Sequence, residues 1–207
     1  MKNRCVIVGG ASIDNYEYLR TLLNEDDFMI YCDCGLRHME ALGLKPDLIV
    51  GDFDSYDNPL LKAETIVLPC EKDDTDTMYG LKEGIKRGFQ EFVLIGVIGQ
   101  RLDHSLANLY SLVYLDELNL KATIIDDYSD IEIVSREAKY IEDSYAYFSL
   151  INLSGVAKGI NIYDAKYPLV DGTIEPGYQY GVSNEVIKGK RAKVLVKEGR
   201  LLLIKDR

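Results

Sequence analysis

The sequence predicts an α/β N-terminal domain with a mostly parallel sheet, followed by an all-β, antiparallel, sandwich-like C-terminal domain. Up to Asp127, short β-branched runs alternate with stretches at helical spacing, which is the pattern of a parallel α/β sheet. Beyond Asp127, apolar and alternating segments follow one another between turn residues, and no segment has a helical pattern. We therefore predict two closely packed domains, residues 1–127 and 128–207.

The first domain is predicted to contain short strands rich in valine, isoleucine and leucine, at Arg4–Gly9, Phe28–Asp33, Leu48–Gly51, Thr65–Pro69, Glu91–Gly96 and Lys121–Asp126. Helices with one apolar face are predicted at Tyr16–Asn24, Leu36–Leu42, Thr75–Arg87 and Asp103–Leu118. Asp14 stands where a side chain would cap the first helix, and Gly43 stands where the second helix should end.

In the second domain, strands are predicted at Ile131–Ser135, Tyr145–Leu153, Lys158–Tyr163, Glu185–Ile187 and Ala192–Val196. The run KEGR at residues 197–200 separates two apolar runs, which is typical of a hairpin turn.

Composition and charge narrow the class of protein. The 207 residues are 47% hydrophobic and 10% aromatic, which is typical of a globular protein. A formal net charge of −10 predicts that neither nucleic acid nor anionic lipid is a partner, because both would be repelled. No segment resembles a signal peptide or a membrane span. We therefore expect a cytoplasmic protein with reduced cysteines, at Cys5, Cys32, Cys34 and Cys70.

Small and polar residues follow five of the predicted strands in the first domain. These turns are Gly9–Ser12, Asp33, Gly51–Ser55, Glu71–Asp76 and Gly99–His104. In open α/β sheets, ligands bind in the crevice beyond the carboxyl ends of the strands. One aspartate in a turn needs no functional explanation, but five such turns at one edge indicate a ligand site.

The run GDFDS at residues 51–55 predicts a metal site. Residues two apart in an extended chain point the same way, so Asp52 and Asp54 can present both carboxylates to one cation. Gly51 would let a ligand approach the backbone, while Phe53 points the other way and can anchor the loop in the core. Mg²⁺ favours a few carboxylates together with water and phosphate oxygens, which fits this pattern.

Acidic residues also precede the third predicted helix, in the run DDTD at 73–76. One acid can cap the helix, but three acids within four residues repel one another unless a cation is present. Asp76 lies in the first turn and is a candidate metal ligand. Asp74 is a candidate for the cap or for a supporting contact behind the metal ligands.

The segment GVIGQRLDH at 96–104 predicts an anion site. Gly96 and Gly99 would let phosphate approach the main chain, next to the start of a helix. Arg101 can bind phosphate oxygens in bidentate fashion. His104 follows Asp103 and could act as a base or make a structural hydrogen bond.

Taken together, the runs CDCGL, PDLIVGDFDS, DDTD, GVIGQRLDH and GVSNE resemble the bacterial thiamine pyrophosphokinase family over nearly the whole chain. The resemblance implies that ATP pyrophosphorylates the hydroxyethyl group of thiamine, with AMP and thiamine diphosphate as products. It also implies Mg²⁺ as cofactor and a homodimer with shared active sites.

The resemblance further implies which residues act. The acids that bind metal and nucleotide correspond to Asp52, Asp54, Asp76 and Asp103, and Ser183 with Asn184 corresponds to the thiamine-binding part. The residues expected to contact the nucleotide are Asp33, Asp74, Gly99, Arg101 and His104. Asp76 and Asp103 both remain candidates for the base that accepts the hydroxyl proton. An aromatic ring from Tyr163, Tyr167 or Tyr178 could stack on the thiazolium, or simply pack in its strand.

Two other readings stay open from the residues. A hydroxymethylpterin pyrophosphokinase would share the GDFDS-like acids but would not need the GVSNE segment. A non-catalytic nucleotide or metal sensor would bind through the same acids without turnover. A phosphatase based on the D-x-D of GDFDS is less favoured, because no matching downstream pattern follows.

Overall fold

The computed structural model describes residues 4–53, 62–71, 73–153 and 155–207. The chain divides into two compact units, Met1–Asp127 and Tyr128–Arg207. None of the helices in these described ranges combines the length and the apolar character that crossing a membrane requires.

The first unit is a six-stranded parallel sheet with helices, as the alternating pattern predicts. Its strands are β1 (Cys5–Val8), β2 (Phe28–Cys32), β3 (Leu48–Gly51), β4 (Glu64–Val67), β5 (Glu91–Ile95) and β6 (Lys121–Ile125). Its α-helices are α1 (Tyr16–Leu22), α2 (Met39–Leu42), α3 (Asp76–Lys86) and α4 (Leu102–Glu117), and a 3₁₀ helix spans Asp33–His38. Every residue of β1 and β3 is buried, as expected for a parallel sheet covered on both faces.

The order of the parallel strands indicates where a ligand crevice lies. The order is β6-β5-β1-β2-β3-β4, so β1 lies between β2 and β5 and the direction of strand addition reverses beside it. Because all six strands are parallel, the turns that follow them lie at the same edge of the sheet. A reversal of this kind is where α/β sheets open a crevice for ligands.

Two helix caps differ from the sequence prediction. Asn15, not Asp14, caps α1, because its side chain accepts a hydrogen bond from the N–H of Tyr18. Thr75, not an acid, caps α3 by accepting from the N–H of Met78 at 3.2 Å. The end of α2 agrees with the prediction, since Gly43 adopts a left-handed conformation there.

The second unit consists of two antiparallel sheets with a shared core. Its strands are β7 (Ser129–Val134), β8 (Lys139–Glu142), β9 (Tyr147–Ile151), β10 (Ala157–Tyr163), β11 (Leu169–Ile174), β12 (Gly181–Asn184), β13 (Arg191–Leu195) and β14 (Leu201–Asp206). Strands β12, β9, β14 and β7 are neighbours in one sheet, and β11, β10, β13 and β8 form the other. Side chains from both sheets, such as Phe148 and Ile160, form one buried cluster.

Two predictions about the second unit are wrong. The run KEGR does not form a hairpin, because β13 pairs with β8 and β10 while β14 pairs with β7 and β9 in the other sheet. The strand predicted at Glu185–Ile187 lies one segment earlier, at β12, and only the isolated bridge between Ala165 and Val186 falls in the predicted range.

Candidate active site

A cavity of about 700 Å³ lies at the carboxyl ends of the parallel strands in the first unit. Its walls are the turns after β1, β2, β3 and β5 together with the beginnings of α3 and α4. Predicted site residues that line the cavity are Asp33, Asp52, Asp74, Asp76, Gly99, Arg101 and His104. Asp103 is not among the lining residues, Asp54 lies outside the described residues, and Ser183 and Asn184 belong to the second unit.

Three carboxylates meet in this cavity. One carboxylate oxygen each from Asp33, Asp52 and Asp76 lies within 4.8 Å of the other two. Asp33 follows β2 and Asp52 follows β3, while Asp76 opens α3. The pairing of Cys32 with Val50 in β2 and β3 brings the first two acids to neighbouring positions at the sheet edge.

Asp33 is the most constrained of the three acids. It is buried and adopts a left-handed φ of 40°. Its Oδ2 accepts a hydrogen bond from the Cys34 thiol at 3.2 Å, whereas its buried Oδ1 has no hydrogen-bond partner within the described part of the chain. A Cβ on Gly51 would lie 3.1 Å from the Cα and Cβ of Asp33, so this glycine serves the packing of the acid. A buried oxygen of this kind is costly unless a ligand satisfies it.

The chemistry of this cluster suits a hard divalent cation. Close carboxylates repel one another, and a cation with oxygen preference removes that repulsion. Asp52 and Asp76 were predicted as metal ligands, and the structure groups them with Asp33, for which only a nucleotide contact was predicted. Asp74 makes a different contact, since it accepts a hydrogen bond from Nζ of Lys82 at 2.6 Å.

The glycine turns after β1 and β5 are fixed by each other. The N–H of Gly9 donates to Ile95 O at 2.9 Å, and the N–H of Ala11 donates to Gly96 O at 2.8 Å. Gly96 has a φ of +61°, and a Cβ on it would lie 2.7 Å from Gly9 O. The two turns therefore approach backbone to backbone, which only glycine permits at Gly96.

Side chains of α4 hold the turn that precedes this helix. The N–H of Gly99 donates to Oγ of Ser105 at 3.0 Å, so this N–H is occupied within the protein. The buried Asn108 donates from Nδ2 to Val97 O at 2.8 Å. Both residues line the cavity and were not identified from the sequence, although polar residues on a leucine-rich helix are the signal that could have found them.

Arg101 and Asp103 form an exposed ion pair beside the cavity. Nη2 of Arg101 donates to Oδ2 of Asp103 at 2.7 Å, and Nε donates to Oδ1 at 3.3 Å. The hydrogen bond from Arg101 lowers the pKa of the Asp103 carboxyl, and a backbone hydrogen bond from His104 acts in the same direction.

Two further residues at this site were missed from the sequence. Arg37 lines the cavity from the 3₁₀ helix. His38, the next residue, is buried, with Nε2 at 2.9 Å from Ala11 O and Nδ1 at 2.7 Å from the hydroxyl of Tyr16. Burial lowers the pKa of His38, so the neutral ring donates from Nε2 to Ala11 and accepts at Nδ1. His38 thereby supports the turn that follows β1.

The predicted thiamine-binding residues lie on β12. Ser183 is exposed and adopts a φ of 57°, and its N–H donates to Oγ of Ser149 at 3.0 Å. Asn184 is buried, and its amide group bonds to both the N–H and the carbonyl oxygen of Tyr167, at 3.0 and 2.8 Å. The rings of Tyr163, Tyr167 and Tyr178 are exposed.

Comparison with known proteins gives one consistent result. Residues 19–124 match the family model described as thiamin pyrophosphokinase, catalytic domain, and residues 131–201 match the model described as thiamin pyrophosphokinase, vitamin B1 binding domain. A thiamine pyrophosphokinase of Bacillus subtilis is 28% identical over 208 residues, which cover 97% of each chain.

Solved structures agree with this result. A crystal structure of thiamine pyrophosphokinase from Bacillus subtilis superposes with a TM-score of 0.86 at 26% identity, over 99% of both chains. That of thiamin pyrophosphokinase from Geobacillus thermodenitrificans gives 0.84 at 25% identity, over 98% of this chain and 97% of the other. The predicted fold class and the predicted resemblance are confirmed, and the chain belongs to the thiamin pyrophosphokinase family.

Proposed function

We propose that the chain performs the reaction of its family at the cavity of the first unit. It transfers the pyrophosphoryl group of ATP to the hydroxyl of thiamine and releases thiamine diphosphate and AMP. The observation that carries this proposal is the cluster of Asp33, Asp52 and Asp76 at the strand ends of a chain that matches both family models. Transfer of phosphoryl groups depends on positioning and on neutralising charge, and this cavity offers groups for both.

We propose Asp33, Asp52 and Asp76 as the residues that hold Mg²⁺, with Asp54 as a further ligand predicted from the sequence. The support is the unsatisfied buried oxygen of Asp33 among three close carboxylates. When bound, Mg²⁺ would neutralise phosphate charge and orient the phosphate chain.

The phosphate chain is proposed to bind between the glycine turns and the start of α4. This helix has sixteen residues, and the side chain of its N-cap residue, Arg101, makes no capping hydrogen bond. The N-terminus of a helix attracts anions, and Arg101 adds a guanidinium there. Asp74, Gly99 and His104 line the same cavity and remain proposed nucleotide contacts.

Asp76 and Asp103 are both candidates for the base, but only Asp76 lines the cavity, while Asp103 is bound to Arg101. A carboxylate whose pKa is lowered by a guanidinium accepts a proton poorly.

The second unit is proposed to supply thiamine recognition and dimer contacts. Residues 131–201 match a vitamin B1 binding domain, and Ser183 is exposed within it. Val170 on β11 and Val182 on β12, both on strands at an end of their sheets, are 75% and 53% exposed. Exposed apolar residues on edge strands favour association, which supports a homodimer with shared active sites. The four free cysteines support a cytoplasmic location.

The alternatives are less well supported. A pterin acceptor would give no reason for residues 131–201 to match a vitamin B1 binding domain. A non-catalytic sensor would bind ATP without forming product.

Phosphorus NMR of the protein with ATP, Mg²⁺ and thiamine tests the proposal directly. AMP and thiamine diphosphate should appear together, and only when thiamine is present. Asp52→Asn serves as the control and should lose turnover by about 10²-fold or more. ADP with thiamine monophosphate would contradict pyrophosphoryl transfer, and ATP binding without any product would indicate a sensor.

A further inference from the structure

Arg37 contributes a second guanidinium to the wall of the cavity. It lies in the 3₁₀ helix that follows β2, and its side chain is exposed. Its Nε donates a hydrogen bond to the carbonyl oxygen of Cys34 at 2.9 Å. This contact holds the side chain within its own turn of helix without neutralising its charge.

The charge of Arg37 has no carboxylate partner within the described residues, and this distinguishes it from the other cations nearby. Arg101 is bound to Asp103, and Lys82 is bound to Asp74. An arginine presented to a cavity in this state has terminal N–H donors that remain available for an anion.

The position of Arg37 is opposite to that of Arg101. The two arginines follow β2 and β5, which flank β1 on either side. Between them lies the Gly9–Ser12 turn, and Nη2 of Arg37 lies 3.3 Å from the point where a Cβ of Gly10 would stand. A ligand bound along this turn would have Arg37 on the side of β2 and Arg101 on the side of β5.

We propose that Arg37 binds the polyphosphate of the nucleotide from the side of β2, opposite Arg101. The inference rests on the proposed function, because it assumes that the nucleotide occupies this cavity. Arg37 supplies a preformed site for phosphate oxygens, whereas Arg101 has to exchange part of its bonding to Asp103. Arg37 would thus set affinity for the phosphate chain and would leave the adenosine part unaffected.

Binding to Arg37→Met tests this proposal, with Arg20→Met as the matched control. Arg20 is also exposed and also donates from Nε to a backbone carbonyl, that of Ala41 at 2.7 Å, but it does not line the cavity. The probes are α,β-methylene-ATP with Mg²⁺ and inorganic tripolyphosphate, both followed by calorimetry, and adenosine, followed by saturation-transfer NMR.

Arg37→Met should weaken binding of both phosphate-bearing probes on the order of 10- to 100-fold, as expected for charge-assisted hydrogen bonds. Adenosine binding should not change, Arg37→Lys should fall between Arg37→Met and the wild type, and Arg20→Met should bind every probe like the wild type.

Three results would overturn the proposal. The first is that Arg37→Met binds both phosphate-bearing probes as tightly as the wild type. The second is that Arg37→Met binds all three probes equally more weakly. The third is that Arg37→Lys keeps full affinity, although lysine lacks the paired N–H donors of the guanidinium. If Arg37→Met melts well below the wild type, Arg37→Gln is measured with the same three probes instead. Equal weakening of all three probes in Arg37→Gln would also overturn the proposal. Failure of the proposed function would be seen separately, as a wild-type protein that forms no thiamine diphosphate.

Discussion

Arg101 and Asp103 are joined by two hydrogen bonds, of 2.7 and 3.3 Å, at the beginning of α4. Both side chains are largely exposed, so the pair adds little to stability. The pair instead positions Arg101, because it holds the guanidinium at the rim of the cavity. The same contact lowers the pKa of Asp103 and keeps its carboxyl ionised, which makes it a weak proton acceptor.

Asp103→Asn is therefore expected to lower kcat/KM for ATP on the order of 10-fold through loss of Arg101 positioning. Arg101→Ala should lower kcat/KM for ATP further. The double variant should have the same kcat/KM as Arg101→Ala alone, because both changes act on one contact. Steady-state kinetics of the three variants checks this. A loss of several orders of magnitude in Asp103→Asn, with loss of the acidic limb of the pH profile, would instead make Asp103 the base.

Asp33→Asn should separate metal binding from folding. Mg²⁺ at one hundred times its Kd should stabilise the wild type by about 2.7 kcal/mol, and Asp33→Asn should lose most of that gain. In the absence of Mg²⁺ the variant should be as stable as the wild type or more so, because one charge leaves a repulsive cluster. Turnover should fall about 10²-fold. Thermal unfolding with and without Mg²⁺ provides the measurement.

Asp74→Asn is the matched control for this experiment. Asp74 lines the same cavity, but its carboxylate pairs with Lys82 and lies outside the cluster of three acids. It should keep the stabilisation by Mg²⁺. If Asp33→Asn keeps it as well, the cation lies elsewhere.

The location of the acids could be predicted from the sequence, because parallel strands end at one edge. Asp52 and Asp76 followed from this rule. That Asp33 belongs to the cluster could not be predicted, because this depends on the register of β2 against β3 and on the packing of Gly51 against Asp33. The sequence around a single aspartate after a strand does not indicate which acids of other strands lie beside it.

The second unit shows a different limit. Alternation and turn residues identify strands, but they do not say which strands pair. The turn at 197–200 had the appearance of a hairpin, yet the chain passes there from one sheet to the other. His38 was missed for a related reason, because its contacts with Tyr16 and Ala11 join segments that are distant in sequence.

His38 should make stability depend on pH. Burial lowers its pKa below the ordinary value of 6.5, while Ala11 and Asp127 favour the charged form and Arg37 opposes it. The unfolded chain therefore binds more protons than the folded one below about pH 6.5, so stability is full above that pH and is lost as pH falls towards the folded pKa. His38→Gln should lack this slope and cost about 1–3 kcal/mol at pH 8. Denaturant unfolding between pH 5 and 8 compares the two proteins, and parallel slopes would contradict the assignment of a neutral buried ring.

The proposed shared site predicts recovery of activity when two defective chains are mixed. Asp52→Ala removes a proposed metal ligand in the first unit, and Ser183→Ala removes a proposed thiamine contact in the second. Ser183 is preferable to Asn184, whose buried amide bonds to Tyr167 and whose loss would disturb the fold. If Ser183→Ala alone keeps full activity, its assignment to thiamine binding is wrong.

The two variants are unfolded together and refolded, and the mixed dimer is verified by mass spectrometry with one chain tagged. In a shared-site dimer, the mixed species has one site with both defects and one site with none. Random pairing makes about half of the dimers mixed, so about a quarter of the wild-type activity should return. A mixture of Asp52→Ala with Asp76→Ala is the control and should recover nothing, because both defects lie in the first unit. If each chain carries its own complete site, every site keeps one defect, and the first mixture will stay as inactive as the control.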